Sequence, residues 1–167
     1  MKLVKRVLVA LLVILIIIQF FHPAKNASAA VSPNDIATIY TVPPPVDTIL
    51  KKACNDCHSN NTRYPWYNNI QPVAWWLDSH VKDGKRGLNF NEFATYRISK
   101  QYHRMEDIID EVKHDEMPLG SYTLIHTDAK LTEQEKQTLY NWAGAIRDTM
   151  KAKYPADSLI RKKPQRG

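Results

Sequence analysis

In the last long segment of the chain, from Thr132 onward, apolar side chains return every three or four residues: Leu139, Trp142, Ala143, Ile146 and Met150. That spacing puts them on one face of a helix and does not fit the period-two alternation of a half-buried strand. Thr132 followed three residues later by Glu135 reads as a capping box at the helix start. The same period recurs in Val46, Ile49, Leu50 and Ala53, and in Tyr102, Met105, Ile108, Ile109 and Val112. No stretch alternates convincingly at period two. The expected fold class is all-α.

Prolines and glycines set the boundaries. Pro45 suits the first turn of a helix over 46–54. Pro72 opens a short helix carrying Val73, Trp75, Trp76, Leu77 and Val81, which stops near Gly84 and Gly87. A third helix, over 98–115, ends ahead of Pro118, because a proline pushes the residue before it out of the α region. Phe90 and Phe93 fall in a connecting stretch.

Before this body lies a different kind of segment. Lys2, Lys5 and Arg6 precede an apolar run from Val7 to Phe21, broken only by Gln19. Cations followed by an apolar run make a membrane-insertion signal. The run is apolar on every side, unlike a core helix. Its fifteen residues span roughly 23 Å, short of a ~30 Å hydrocarbon core, and Ala27-Ser28-Ala29 resembles a cleavage site. Residues 1–30 are therefore expected to be a cleaved signal or a retained membrane anchor, the length of the run favouring the anchor. Both place the body outside the cytoplasm, on the periplasmic side. Prolines 33 and 43–45 mark 31–45 as an extended linker. The domain proper is expected over 46–152, with a basic tail over 153–167.

The net charge of +6 does not point to nucleic acid. Lys2, Lys5, Arg6 and Lys25 face no acidic residue within 1–30, and Arg161, Lys162, Lys163 and Arg166 face only Asp157 at the other end. The body between is near neutral, whereas a nucleic-acid binder carries its basic stripe on the folded part.

The chain has two cysteines, in Cys54-Asn55-Asp56-Cys57-His58. C-x-x-C-H is the attachment sequence of c-type haem. Two thiols at this spacing reach the two vinyl groups on one side of a porphyrin, and the histidine after the second thiol falls under the iron. A thioredoxin-like pair would need a βαβ setting. Zinc would need more ligands, with His80 or His103 completing the set. A structural disulfide would not call for His58. One covalent haem c, with His58 as iron ligand, is the expectation, and export agrees with it.

For the opposite face of the iron the sequence offers Met117, followed by Pro118 in a loop between helices. Its thioether is a soft ligand for iron that changes oxidation state. His80 is the runner-up. Met105 and Met150 fall on helix stripes and read as core. Trp66 and one of Trp75 or Trp76, here Trp76, are expected as walls of a haem pocket, and Arg63 as a partner for a haem carboxylate.

Cys54-Asn55-Asp56-Cys57-His58-Ser59-Asn60-Asn61-Thr62, then Tyr64-Pro65-Trp66-Tyr67, resembles the bacterial haem-binding domain family of exported single-haem proteins. Asp115-Glu116-Met117-Pro118, Leu124-Ile125-His126 and Leu131-Thr132-Glu133 with Glu135 extend the resemblance over about 40–152. It implies a cytochrome c-like helical domain, with first and last helices packed together and a Met-Pro loop over the haem. Leu119 stands where many class I cytochromes have a second proline. The function expected is one-electron transfer to an unidentified redox partner protein, by a carrier rather than a catalyst. The alternative is a haem enzyme or gas sensor with an open distal site.

Overall fold

The computed structural model describes residues 1–28 and 30–160. Ala29 and the cations Arg161, Lys162, Lys163 and Arg166 of the expected tail lie outside the described residues. Every regular element among the described residues is helical. The long helices are α1 (Lys2–Ile18), α2 (Pro44–Ala53), α4 (Val73–Gly87), α5 (Ile98–Lys113) and α7 (Glu133–Lys153). Short helices α3 (Asn55–His58), α6 (Gly120–Ile125) and α8 (Ala156–Leu159) and several 3-10 turns complete the chain.

Helix α7 starts as its sequence says. The Thr132 hydroxyl accepts from the Glu135 N–H, and the Glu135 carboxylate accepts in return from the Thr132 N–H. Its stripe of Leu139, Trp142, Ala143, Ile146 and Met150 is buried. It packs along α5 and touches α2. Phe93, Met105, Leu139 and Met150 are fully enclosed, and each such side chain contributes about 1.5–3 kcal/mol through burial.

Three expectations about segment boundaries change. Residues 31–45 are not a free spacer. Ile36 sits in the core, with Tyr40 and Val42 packed against it, and the Trp142 indole N–H donates to the Thr41 carbonyl at 3.0 Å. The 3-10 turn at Ile36–Thr38, with Asp35 as its cap, is too short to leave a period in the sequence. The far end also packs, since Leu159 of α8 is buried.

The third change concerns the anchor. Helix α1 is 17 residues long, about 26 Å at 1.5 Å per residue. No described helix is long and apolar enough to cross a membrane, so the spanning anchor is not borne out. The chain leaves the helix at Gln19, whose side-chain amide donates to the Leu15 and Gln71 carbonyls.

Candidate functional site

Cys54 ends α2 with φ of −123° and ψ of −44°, and the one-turn α3 carries Cys57 and His58 on from there. The break lets the chain turn while the Cys57 and His58 N–H groups still donate to the Cys54 carbonyl. Helix α4 closes on this turn through Gly84. A Cβ placed there would lie 2.6 Å from the Cys57 carbonyl oxygen, so only glycine allows the approach. Ala74 and Val81 are buried on α4 while Trp75 and Trp76 are exposed. The Trp75 indole N–H donates to the Phe21 carbonyl, and Trp76 lines a small cavity beside Asp56 and Cys57.

Against α3 lies a cavity of about 450 Å³, within the roughly 300–1,000 Å³ usual for cofactor pockets. Cys54, Cys57 and His58 line one side, and Met117, Pro118 and Leu119 also line it. Leu50, Phe90, Ile108, Val112, Leu131 and Leu139 make much of the remaining wall apolar. The His58 Nδ1 lies 2.9 Å from the Leu88 carbonyl. A carbonyl only accepts, so Nδ1 carries the proton and Nε2 keeps its lone pair. Burial lowers the His58 pKa below its ordinary value, which keeps the ring neutral at pH 7. Phe90 meets the ring edge-on, with centroids 6.4 Å apart.

Burial pushes the Cys54 thiol up to about 12, with Cys57 adding to it, and the Cys57 thiol up to about 11, with Asp56 adding to it. Both cysteines are free. Thiol–disulfide catalysts need the opposite, a lowered pKa and a ready thiolate. Among the described residues no three His, Cys, Asp or Glu side chains group as a metal ion would require, which leaves the zinc reading without its ligands.

Between the cysteines, Asp56 is buried and fully engaged. It accepts from the Arg63 backbone N–H at 3.0 Å, the Arg63 Nε at 3.2 Å and the Tyr122 hydroxyl at 2.7 Å. Arg63 is thereby committed to folding its loop back on the motif and does not line the large cavity. Trp66, at 76% exposure, does not line it either. Trp76 and Arg63 line an adjoining cavity of about 50 Å³, together with Asp56, Cys57, His80 and Tyr122, which line the large one as well. The structure thus brings together Cys54, Cys57, His58 and Met117 on the large cavity, with His80 also on its wall; Arg63 and Trp76 line the small cavity beside Cys57, and Trp66 lines neither.

Two further residues belong to the site, Gly84, expected only as a helix stop, and Arg104. Gly84 could have been noticed as a glycine inside a helical run, which costs about 1 kcal/mol and calls for a packing reason. Arg104 lines the cavity and pairs with Asp107 at 2.6 Å. Its Nε is buried with no hydrogen-bond partner. Nothing in its local sequence marks it.

The sequence profile described as a haem-binding domain matches residues 13–145. The chain belongs to the haem-binding domain family. No curated protein and no solved structure matches it. The residues present fit a haem on structural grounds. The cavity is large and mostly apolar, and it holds a neutral imidazole whose second nitrogen is fixed by a backbone carbonyl, the arrangement that orients metal-ligating histidines. It also holds a guanidinium nitrogen that lacks a partner. His58 and the two thiols are the residues that would hold the group, and Arg104, on the cavity wall, could meet its carboxylates.

Proposed function

We propose that this haem-binding domain carries one haem c, covalently attached through Cys54 and Cys57, and serves as an exported one-electron carrier. His58 and Met117 would be its two axial ligands. A haem held by a Met/His pair would supply one-electron chemistry with no position left open for substrate. The observation that carries this reading is the convergence of Cys54, Cys57, His58 and Met117 on one apolar cavity. The chain's own part is to fix the imidazole through Leu88, exclude water with Phe90 and Leu139, and offer Arg104 to a carboxylate.

The export reading is supported by the cations and apolar run ahead of the domain, and by the outward-facing compartment in which c-type haem is attached. The redox partner is proposed to be a protein.

The test is spectroscopic. Met117→Ala should abolish the far-red Met–iron band while the covalent haem remains; an unchanged spectrum rules out Met117 as ligand. A second reading, an open distal position for peroxide or a gas, draws on His80, which lines the same cavity and could act as an acid–base group. Rapid CO binding by the reduced protein with high-spin iron would select that reading instead.

A further inference from the structure

The segment that a signal peptidase would remove is built into the loop that follows His58. Asn26 is the centre of this arrangement. Its backbone N–H donates to the Tyr64 hydroxyl at 2.7 Å, and its carbonyl accepts from the Thr62 N–H at 3.0 Å. Its side-chain Nδ2 donates to the Ser59 carbonyl and to the Thr62 hydroxyl, both at 2.9 Å. Its Oδ1 accepts from Lys85 of α4 at 2.5 Å. Two residues on, the Ser28 N–H donates to Asn61 Oδ1 at 2.8 Å.

The upstream part is tied down as firmly. The Gln19 side chain donates to the Gln71 carbonyl at 3.2 Å and accepts from the Gln71 N–H at 2.9 Å. The Phe21 carbonyl accepts from the Gln71 side chain at 2.7 Å and from the Trp75 indole at 2.9 Å. Gln71 is only 1% exposed, so this lock is largely shielded from water. The family match is independent support. It begins at residue 13, inside α1, and so counts these residues as part of the domain.

We propose that residues 19–28 are a permanent strap of the mature protein, that Ala27-Ser28-Ala29 is not a processing site, and that Asn26 is a positioning residue for the loop beginning at Ser59. A disposable leader has no reason to satisfy the polar groups of the domain it leaves. Cleavage after Ala29 would strip hydrogen-bond partners from Ser59, Thr62, Tyr64, Gln71, Trp75 and Lys85 together. Ser59 directly follows His58, so the strap bears on the site through that residue. The haem reading enters only in this last consequence.

The experiment expresses the full chain in an exporting host that matures c-type cytochromes and measures the intact mass and N-terminus of the recovered protein. A chain beginning at or before Gln19 is expected. A chain beginning after Gln19, at Ala30 above all, overturns the proposal. In Asn26→Ala, amide exchange at Thr62 should speed about tenfold, as loss of local hydrogen bonds implies, while exchange in α5 at Met105 stays unchanged. Unaltered exchange at Thr62 overturns the positioning role. Should that variant fail to fold, the mass of the unmodified chain still decides whether the strap is kept. Haem content is read separately by absorbance, so a colourless chain that keeps its strap counts against the proposed function alone.

Discussion

His58 and Met117 line one cavity, but the chain holds them by different means. The His58 side is fixed by many contacts with distant parts of the chain. Leu88 orients the ring, Gly84 admits α4 against Cys57, and Asp56 draws in Arg63 and Tyr122. Asn60 extends the brace, its backbone N–H donating to Asn91 at 2.6 Å and its side chain to Glu92 at 2.8 Å. The Met117 side is fixed by the backbone. The Glu116 and Met117 N–H groups both donate to the Glu111 carbonyl, at 2.9 and 3.2 Å. Asp115 turns the chain with a φ of 58°, and its carboxylate meets Lys136 at 2.6 Å. The Met117 side chain rests on the core by contact alone. A position held by many directed bonds should tolerate little. A position held by a backbone turn should accept another side chain of similar size.

The largest effect is expected at Gly84. Gly84→Val forces α4 off the Cys57 carbonyl, for a loss of about 3 kcal/mol, read as a fall in the thermal midpoint together with poor haem incorporation. A normal midpoint would mean that the close approach is dispensable. Next is Tyr122→Phe, which removes one donor from buried Asp56 and should cost about 2 kcal/mol in denaturant unfolding. A change within error would show that Arg63 satisfies the carboxylate unaided.

Met117→Leu sharpens the comparison. It conserves volume, so stability should fall by less than about 1.5 kcal/mol. The spectrum should nevertheless lose its thioether signature, and the potential should drop by on the order of 0.1 V. Equal stability and an equal potential would remove the methionine from the iron.

The smallest effect concerns the seam between α2 and α7. Burial alone would raise the Glu135 pKa, but Lys52 at 2.6 Å and the Thr132 N–H hold it below its ordinary value. The unfolded chain therefore binds this proton more readily, and stability from the pair is present above about pH 4.5 and fades as pH falls below it. A contribution near 0.5 kcal/mol is expected. Comparing acid unfolding of the protein with Glu135→Gln checks it, since the variant should lose this part of the pH dependence.

The stripe and cap of α7, the buried Met105 and Met150 and the attachment motif were legible because each is local, a period or a fixed spacing. The pocket walls were not. Nearness in sequence to Cys57 suggested Trp66, Trp76 and Arg63; Trp76 and Arg63 line the small cavity beside Cys57, while the large one is walled by residues distant in sequence, such as Ile108, Val112 and Leu139. Arg63 was claimed by Asp56 through a loop closure that no spacing announces. Ile36 and the strap at Asn26 were hidden for a similar reason. They act through contacts with distant residues, and a segment without a period gives no sign of them.

The most direct measurement is the absorbance of the purified protein after acid–acetone extraction, read as its pyridine haemochrome. One haem per chain, retained by the denatured protein and lost in the double variant Cys54→Ser with Cys57→Ser, is the expected result. A protein left colourless by the extraction would contradict the covalent site at Cys54 and Cys57.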